Sequence, residues 1–343
     1  MLLMKIHTSD LIAFVHDIDR RGGVSALPPA DSFQIRYDTT IDQTLDPFSE
    51  EYFGQQVALY RELAGREVDQ ETGEQTDFDM AAHETACNPY NSADVKFVAD
   101  HFRAILNGLA LVGLPTNPSI LDLGCGWGVS AELFAYCGAR VTAVDINRRF
   151  VDLVRRRAKR TGLPIDAFQS NFDSYQDDRR YDLLFFYECL HHSLKPWETL
   201  ARLTSLLHPE GKILWAAEPV NTYWWRNWGM RLDPISIYCI RKFGWWESGW
   251  SEEFISRCFS KVKFDLTFHR GLGLNGGVIG VATRSDGPTH QPPDGLLHLA
   301  STDTDGQIAA LHRHIADMQS SLSWKLMAPL RWAGQKARAR RRR

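Results

Sequence analysis

From Ser119 onward, short apolar runs alternate with amphipathic stretches. Ile120 to Leu123 is followed by Ser130 to Cys137, and Arg140 to Val144 by Arg148 to Thr161. Asp166 to Gln169 comes next, then Tyr181 to Tyr187 with Pro196 to Leu207, and finally Lys212 to Ala217. Runs this short and this rich in apolar and β-branched residues read as strands, and the longer stretches between them as helices. The alternation predicts an α/β fold, a doubly wound parallel sheet with helices on both faces. Two later runs, Val262 to His269 and Val278 to Thr283, flank a glycine-rich turn (Gly271, Gly273, Gly276, Gly277) and predict an antiparallel pair that closes the sheet. Upstream, residues 1–92 show little periodicity apart from a helix over Glu50 to Leu63, and read as an N-terminal extension over a cleft. A further helix is expected over Ala93 to Gly108, with Val95, Val98, Phe102 and Leu106 on one face.

This pattern divides the chain into the extension, a catalytic unit over 93–285 that holds an aromatic insertion at 219–251, a linker over 286–306 rich in Pro, Gly and polar residues, and a tail over 307–343. In the tail, Ile308, Leu311, Ile315, Met318 and Leu322 recur at a/d spacing for about two heptads.

Charge changes the picture at the tail. The net charge of -3 conceals eight basic residues and no acids between Lys325 and Arg343, so the rest of the chain carries -11. The longest uncharged stretch, Ala104 to Leu121, is broken by Pro115 and Pro118, so no membrane-spanning helix is expected. Lys5, His7 and Asp10 interrupt any secretory signal near the start, and the six cysteines lack zinc-ligand spacing. The expected setting is cytoplasmic, without structural metal.

The chemistry concentrates in Ser119 to Gly128, SILDLGCGWG. An apolar strand enters Gly124, Gly126 and Gly128, whose missing side chains let backbone pass close to a ligand, and a helix follows. Asp145 ends the next strand, 21 residues after Gly124, where a carboxylate can accept hydrogen bonds from both ribose hydroxyls. A dinucleotide fingerprint needs G-x-G-x-x-G, and its third glycine position is Val129 here. Asp122, just before the loop, would repel pyrophosphate and attract a cationic amino-acid moiety. S-adenosyl-L-methionine, with an ammonium, a sulfonium and no phosphate, satisfies both observations.

On these residues, Ile120 to Thr283 resembles the class I S-adenosyl-L-methionine-dependent methyltransferases. The resemblance implies a seven-stranded Rossmann-like sheet of order 3-2-1-4-5-7-6 with the last strand antiparallel. It implies that Asp122, Gly124, Gly126 and Gly128 cup the methionyl and ribose portion, that Asp145 binds ribose, and that Ile146 packs on adenine. At the end of the third strand the family normally offers an acidic residue to the adenine amino group; FQSNFD puts Asn171 or Asp173 there, a departure from the pattern, with Asn171 and Phe172 taken as the adenine-side candidates.

Methyl transfer from a sulfonium is an in-line displacement, so the protein chiefly aligns the acceptor and removes its proton. A base should project from the end of the fourth strand, where YECLHH places Glu188, His191 and His192. Either histidine suits hydroxyl deprotonation, and neither outranks the other from sequence. Glu218, ending the fifth strand, points to the same edge. The insertion holds six of the eleven tryptophans, and Trp224, Trp225, Trp246 and Arg231 are candidate acceptor contacts alongside a satellite-core role. Tyr90, in an N-P-Y turn, is expected near the cleft mouth. No N-P-P-Y-like tetrapeptide follows the fourth strand, and no nucleic-acid partner is expected.

SSLSWKLMAPLRWAG, Ser320 to Gly334, resembles the S-W-R-x-T-x-P-L-R motif that follows a short coiled coil in bacterial enzymes of surface-polysaccharide assembly, with Lys325 and Met327 in place of Arg and Thr. That resemblance implies a sugar or glycan acceptor and a glycosyltransferase partner docked through the heptad helix. Trp324, Leu326, Met327, Leu330 and Trp332 among the eight cations would suit peripheral contact with an anionic membrane. The alternatives are methylation of a lipid or other small molecule, and a non-catalytic adaptor.

Overall fold

A computed structural model of the chain describes residues 3–73 and 77–286. The chain divides into two compact units, Met1–Pro292 and Pro293–Arg343. The heptad stripe, the basic tail and nearly all of the linker lie outside the described residues.

The N-terminal extension is more ordered than its composition suggests. It contains β1 (Met4–His7), α1 (Leu11–Arg20), β2 (Phe33–Arg36), α2 (Glu50–Ala64), the short α3 (Gln70–Gly73) and α4 (Met80–Thr85). In α1, Leu11, Phe14, Val15 and Ile18 recur at helical spacing and are all buried. α2 begins at Ser49, whose side chain accepts from the Tyr52 amide, and ends at Gly65 with φ +67. α5 (Val95–Val112) leads into the sheet. Its buried face is His101, Ala104, Ile105, Gly108, Leu111 and Val112. The face expected from the sequence is displaced, since Val95 is 81% exposed. The helix continues beyond Gly108 until Gly113, at φ +56, stops it, so its C-terminal turns set which face is covered.

The main sheet is built from β3 (Ser119–Leu123), β4 (Arg140–Asp145), β5 (Ile165–Gln169), β6 (Tyr181–Tyr187) and β7 (Leu207–Ala216), joined through α6 (Val129–Tyr136), α7 (Arg148–Thr161) and α8 (Pro196–Leu203). The insertion contributes β8 (Trp228–Met230), α9 (Pro234–Phe243) and β9 (Ser248–Trp250). α10 (Glu252–Lys261), β10 (Phe264–Arg270) and β11 (Val278–Arg284) complete the unit. The strand order is β10-β11-β7-β6-β3-β4-β5. All neighbours are parallel except β11, which runs antiparallel to both β7 and β10. This is the doubly wound arrangement expected from the sequence. The order reverses between β3 and β6, so a crevice opens beyond the carboxyl ends of those two strands.

The tryptophan-rich insertion forms a satellite core with the extension. Trp228, Trp246 and Trp250 are fully buried and Trp225 nearly so. Trp228 packs on Tyr52 and Phe53, and Trp246 on Phe53 and Tyr60. Two hydrogen bonds cross the same interface, Tyr52 Oη donating to Trp228 O at 2.6 Å and Trp228 Nε1 to Pro47 O at 2.7 Å, while Trp225 Nε1 donates to Met230 O at 2.7 Å within the insertion. The extension is tied to the sheet by a buried ion pair, Glu132 with Arg157 at 2.6 Å, whose guanidinium also donates to the carbonyls of His83 and Ala86. That anchor sets the position of the segment carrying Tyr90.

Candidate active site

β3 delivers the chain into the glycine loop, and the three glycines do different work. Gly124 (φ +65) lies against Cys189, where a Cβ would come within 2.7 Å of the cysteine Cβ. Gly128 (φ +80) lies against Val154 at 2.7 Å, which lets α6 start close to α7. Gly126 (φ +47) has nothing within 4 Å of where a Cβ would stand, so its open side is the space left for a ligand. Its amide donates to Asp145 Oδ2 at 2.8 Å, and the Asn147 amide donates to Oδ1 at 2.8 Å. Asp145 is thereby aimed along the loop.

Loop and strand ends enclose a cavity of about 530 Å³, within the range of small-molecule clefts. Of the residues singled out from sequence, Gly124, Gly126, Asp145, Ile146, Asn171, Phe172, Tyr90, Glu188 and His192 line it. Asn171 is held by Gln70, whose Nε2 donates in turn to His192 O at 2.9 Å. Glu188 has φ +52, a left-handed conformation that few non-glycine residues adopt. Its carboxyl is open to the cavity, and desolvation by the surrounding walls raises its pKa to about 7.

The other sequence candidates lie elsewhere. Asp122 is buried beneath the loop, where its Oδ2 accepts from Ser130 Oγ at 2.7 Å and burial raises its pKa to about 7. Gly128 supports helix packing, as above. Glu218 is fully enclosed: its carboxylate accepts from the amides of Cys189, Leu190 and His191 and from His191 Nδ1 at 2.8 Å. It shapes the turn after β6 and does not reach the acceptor space. His191 is buried between two carboxylates, with Nε2 3.5 Å from Glu247. Burial alone would lower its pKa, but Glu218 and Glu247 outweigh that and raise it. Arg231 is paired with Asp233 at 3.0 Å and Glu247 at 3.2 Å. Trp225 and Trp246 belong to the satellite core, and Trp224 packs at its edge. For the insertion residues the reason is shared: the insertion folds back on the extension, so Arg231 meets Asp233 and Glu247, and only Trp245 among the insertion's rings reaches the cavity.

His191, His192 and Glu247 bring three potential metal-ligand atoms within 4.8 Å of one another. His191 is already paired with Glu218, and the Arg231 guanidinium supplies the positive charge beside Glu247.

The structure adds cavity residues that the sequence reading missed: Gln70, Phe97, His101, Ile105, Trp127, Phe150, Tyr187 and Trp245. Trp127 stands inside the glycine motif and Tyr187 directly before Glu188, so motif position could have found them. His101 sits in an ordinary amphipathic helix, and nothing in its local sequence marks it. Its Nδ1 lies 2.8 Å from Tyr187 Oη, 3.1 Å from Tyr90 Oη and 3.9 Å from Glu188 Oε2.

This combination of sheet order, glycine loop and acidic second-strand end defines a class, and comparison with known proteins agrees. Residues 120–211 match the family model of the methyltransferase domain. That segment is similar to the methyltransferase domain, and the cofactor indicated for it is S-adenosyl-L-methionine. Among curated relatives, the ubiquinone biosynthesis O-methyltransferase of Yersinia enterocolitica is 31% identical over 135 residues, 37% of this chain and 56% of that one. The enzyme of the same name from Actinobacillus pleuropneumoniae is 29% identical over 123 residues, 34% of this chain and 50% of the relative. The chain thus spans about half the length of these relatives. Among solved structures, a 1,6-didemethyltoxoflavin-N1-methyltransferase from Burkholderia thailandensis, solved with S-adenosylhomocysteine, is 20% identical, covers 60% of this chain and 85% of its own, and superposes with a TM-score of 0.43.

Proposed function

We propose that the chain is an S-adenosyl-L-methionine-dependent O-methyltransferase whose acceptor is a hydroxyl of a sugar or glycan. The observation that carries the methyltransferase reading is one continuous cavity, with Asp145 gripping the Gly126 amide at one part of its wall and Glu188 at another. When bound, the cofactor supplies an activated methyl group on a sulfonium. Gly126 leaves room for its backbone-facing side, Asp145 offers a carboxylate already oriented by two amides, and Ile146 and Phe150 supply apolar wall. Glu188 and His192 face the remainder, where the acceptor would stand.

The acceptor class rests on different support. The O-methyltransferase names of the relatives favour a hydroxyl. The tail motif favours glycan assembly beside a glycosyltransferase, at the face of an anionic membrane. Among the described residues, no lysine or arginine lines the cavity, which disfavours an anionic reacting part of the acceptor and places any phosphate away from it. Aromatic walls suit the apolar faces of a sugar ring.

Incubation with methyl-labelled S-adenosyl-L-methionine and a panel of methyl glycosides, lipid-linked sugars, phenols and lipids tests this directly. Label on a sugar hydroxyl is expected. Label confined to phenols or lipids would replace the glycan reading with the small-molecule one, and calorimetry showing no cofactor binding at physiological concentration would leave only the adaptor. Removal of residues after Gly306 should leave methyl transfer intact and abolish co-sedimentation with anionic vesicles. Unchanged sedimentation would count against the tail as the anchor.

A further inference from the structure

The strongest unassigned feature of the cavity is the group around His101. It is assembled from three places: Tyr90 from the extension, His101 from α5, and Tyr187 with Glu188 from the end of β6. Two phenol hydroxyls converge on a single ring nitrogen, at 2.8 Å and 3.1 Å. A neutral imidazole nitrogen has one lone pair and can accept from only one hydroxyl, and once protonated it needs an acceptor. The cluster supplies both: Tyr187 can donate to Nδ1, and Tyr90 can receive from Nδ1–H. Glu188 Oε2, 3.9 Å away, stands where a carboxylate would stabilise an imidazolium. Asp100, on the same helix, is the other charged group that bears on the ring, and burial outweighs it to keep the imidazole neutral by lowering its pKa.

The histidines after β6 lack this arrangement. His191 is off the cavity wall and engaged on both ring nitrogens by Glu218 and Glu247. His192 lines the wall with its ring against His191 and Trp245, and a ring nitrogen lies within 4.8 Å of the Glu247 carboxylate, which His191 and Arg231 already share; the pair of phenol hydroxyls stands only at His101 among these three histidines as described.

We propose that His101 is the base of the reaction and receives the acceptor's proton through the Tyr187 hydroxyl. This rests on the methyltransferase reading above. The acceptor O–H bond breaks and an O–CH₃ bond forms, while the sulfur keeps the electron pair of the broken S–CH₃ bond and becomes a neutral thioether. The acceptor's proton passes to Tyr187 Oη as the tyrosine's own proton passes to His101 Nδ1. One positive charge disappears from sulfur and one appears on His101, opposite Glu188, so the net charge of the cavity does not change. Proton removal by a positioned base contributes on the order of 10²–10⁴-fold in rate.

A test that needs no acceptor compares the binding of S-adenosyl-L-methionine and S-adenosylhomocysteine to the full chain by calorimetry from pH 8 to pH 5.5. A base next to the sulfonium, once protonated, repels the charged cofactor and not the neutral product. The affinity ratio of cofactor to product should therefore fall about tenfold as pH falls, as for a one-unit shift in the midpoint of the base. Glu188 titrates in the same range, so the comparison is made in Glu188→Gln, which removes that contribution. In that background His101→Gln should flatten the remaining profile while still binding the product, and Tyr187→Phe should shift its midpoint. A profile that survives in Glu188→Gln with His101→Gln overturns the proposal, as does a flat profile in Glu188→Gln alone. If His101→Gln fails to bind product because it misfolds, His101→Asn and Tyr187→Phe decide the matter. Failure of both compounds to bind the wild type would instead overturn the methyltransferase reading itself.

Discussion

Asp145→Ala should lower the affinity for S-adenosyl-L-methionine and S-adenosylhomocysteine by at least about 100-fold, read by calorimetry on folded protein, and should also cost stability because the Gly126 and Asn147 amides lose their acceptor. The carboxylate is pre-aimed by the Gly126 and Asn147 amides, so its order does not have to be created on binding. Two hydrogen bonds from ribose hydroxyls to a charged acceptor contribute roughly 1.5–3 kcal/mol each, and the side chain, though buried, forms part of the cavity wall. Asp145→Asn should retain part of the affinity, because one acceptor oxygen survives. Equal binding of both compounds to Asp145→Ala and wild type would remove Asp145 from the cofactor site.

Glu218→Ala should destabilise the protein by about 3–5 kcal/mol, the range for breaking a buried ion pair and leaving its partner uncompensated. The substitution strands His191 and removes the acceptor for three consecutive amides at the turn that aims Glu188 into the cavity. Glu218→Gln, which keeps an acceptor oxygen, should cost less. Urea titration measures both. The pH dependence has a definite sign. His191 has a raised folded pKa, so its contribution is complete below its ordinary value near 6.5 and is lost as pH rises through the raised one. Glu247, lowered to about 2, contributes above its ordinary value of 4.5 and loses that contribution as pH falls toward 2. Glu188, raised to about 7, also favours folding at lower pH, so the effect of His191 is read as the difference between wild type and His191→Gln. A difference that does not change between pH 6 and pH 9 would show that His191 is not held charged in the fold.

Much of one wall of the cavity was legible in the sequence because it is local. The glycine loop is ten residues long, and Asp145 follows it by one helix and one strand. Period and turn chemistry therefore placed Gly124, Gly126, Asp145 and Ile146 on the same wall. Asp122 and Gly128 were misplaced because a motif shows which residues lie near a ligand and not which way each side chain points. Asp122 turns beneath the loop to Ser130, and Gly128 turns to Val154. The acceptor half was less legible because its residues come from positions as far apart as Gln70, His101, Glu188 and Trp245. The aromatic insertion misled for a related reason. Trp225 and Trp246 are as suited to a sugar face as to a core, and only the position of α2 decides between them.

The sequence by itself determined the strand and helix alternation, the sheet class, the glycine loop and its acidic partner. These follow from periodicity, backbone permissiveness and short spacing, which are properties of neighbouring residues. Only the tertiary structure decided which histidines reach the cavity. His191 and His192 are adjacent in sequence, yet His191 is held on both ring nitrogens by Glu218 and Glu247, whereas His192 turns toward Trp245 and the cavity wall. His101 carries no local signal at all. Its environment exists only once α5, the Tyr90 turn and the end of β6 have packed together, and burial and charge, which tune a histidine, depend on those distant neighbours.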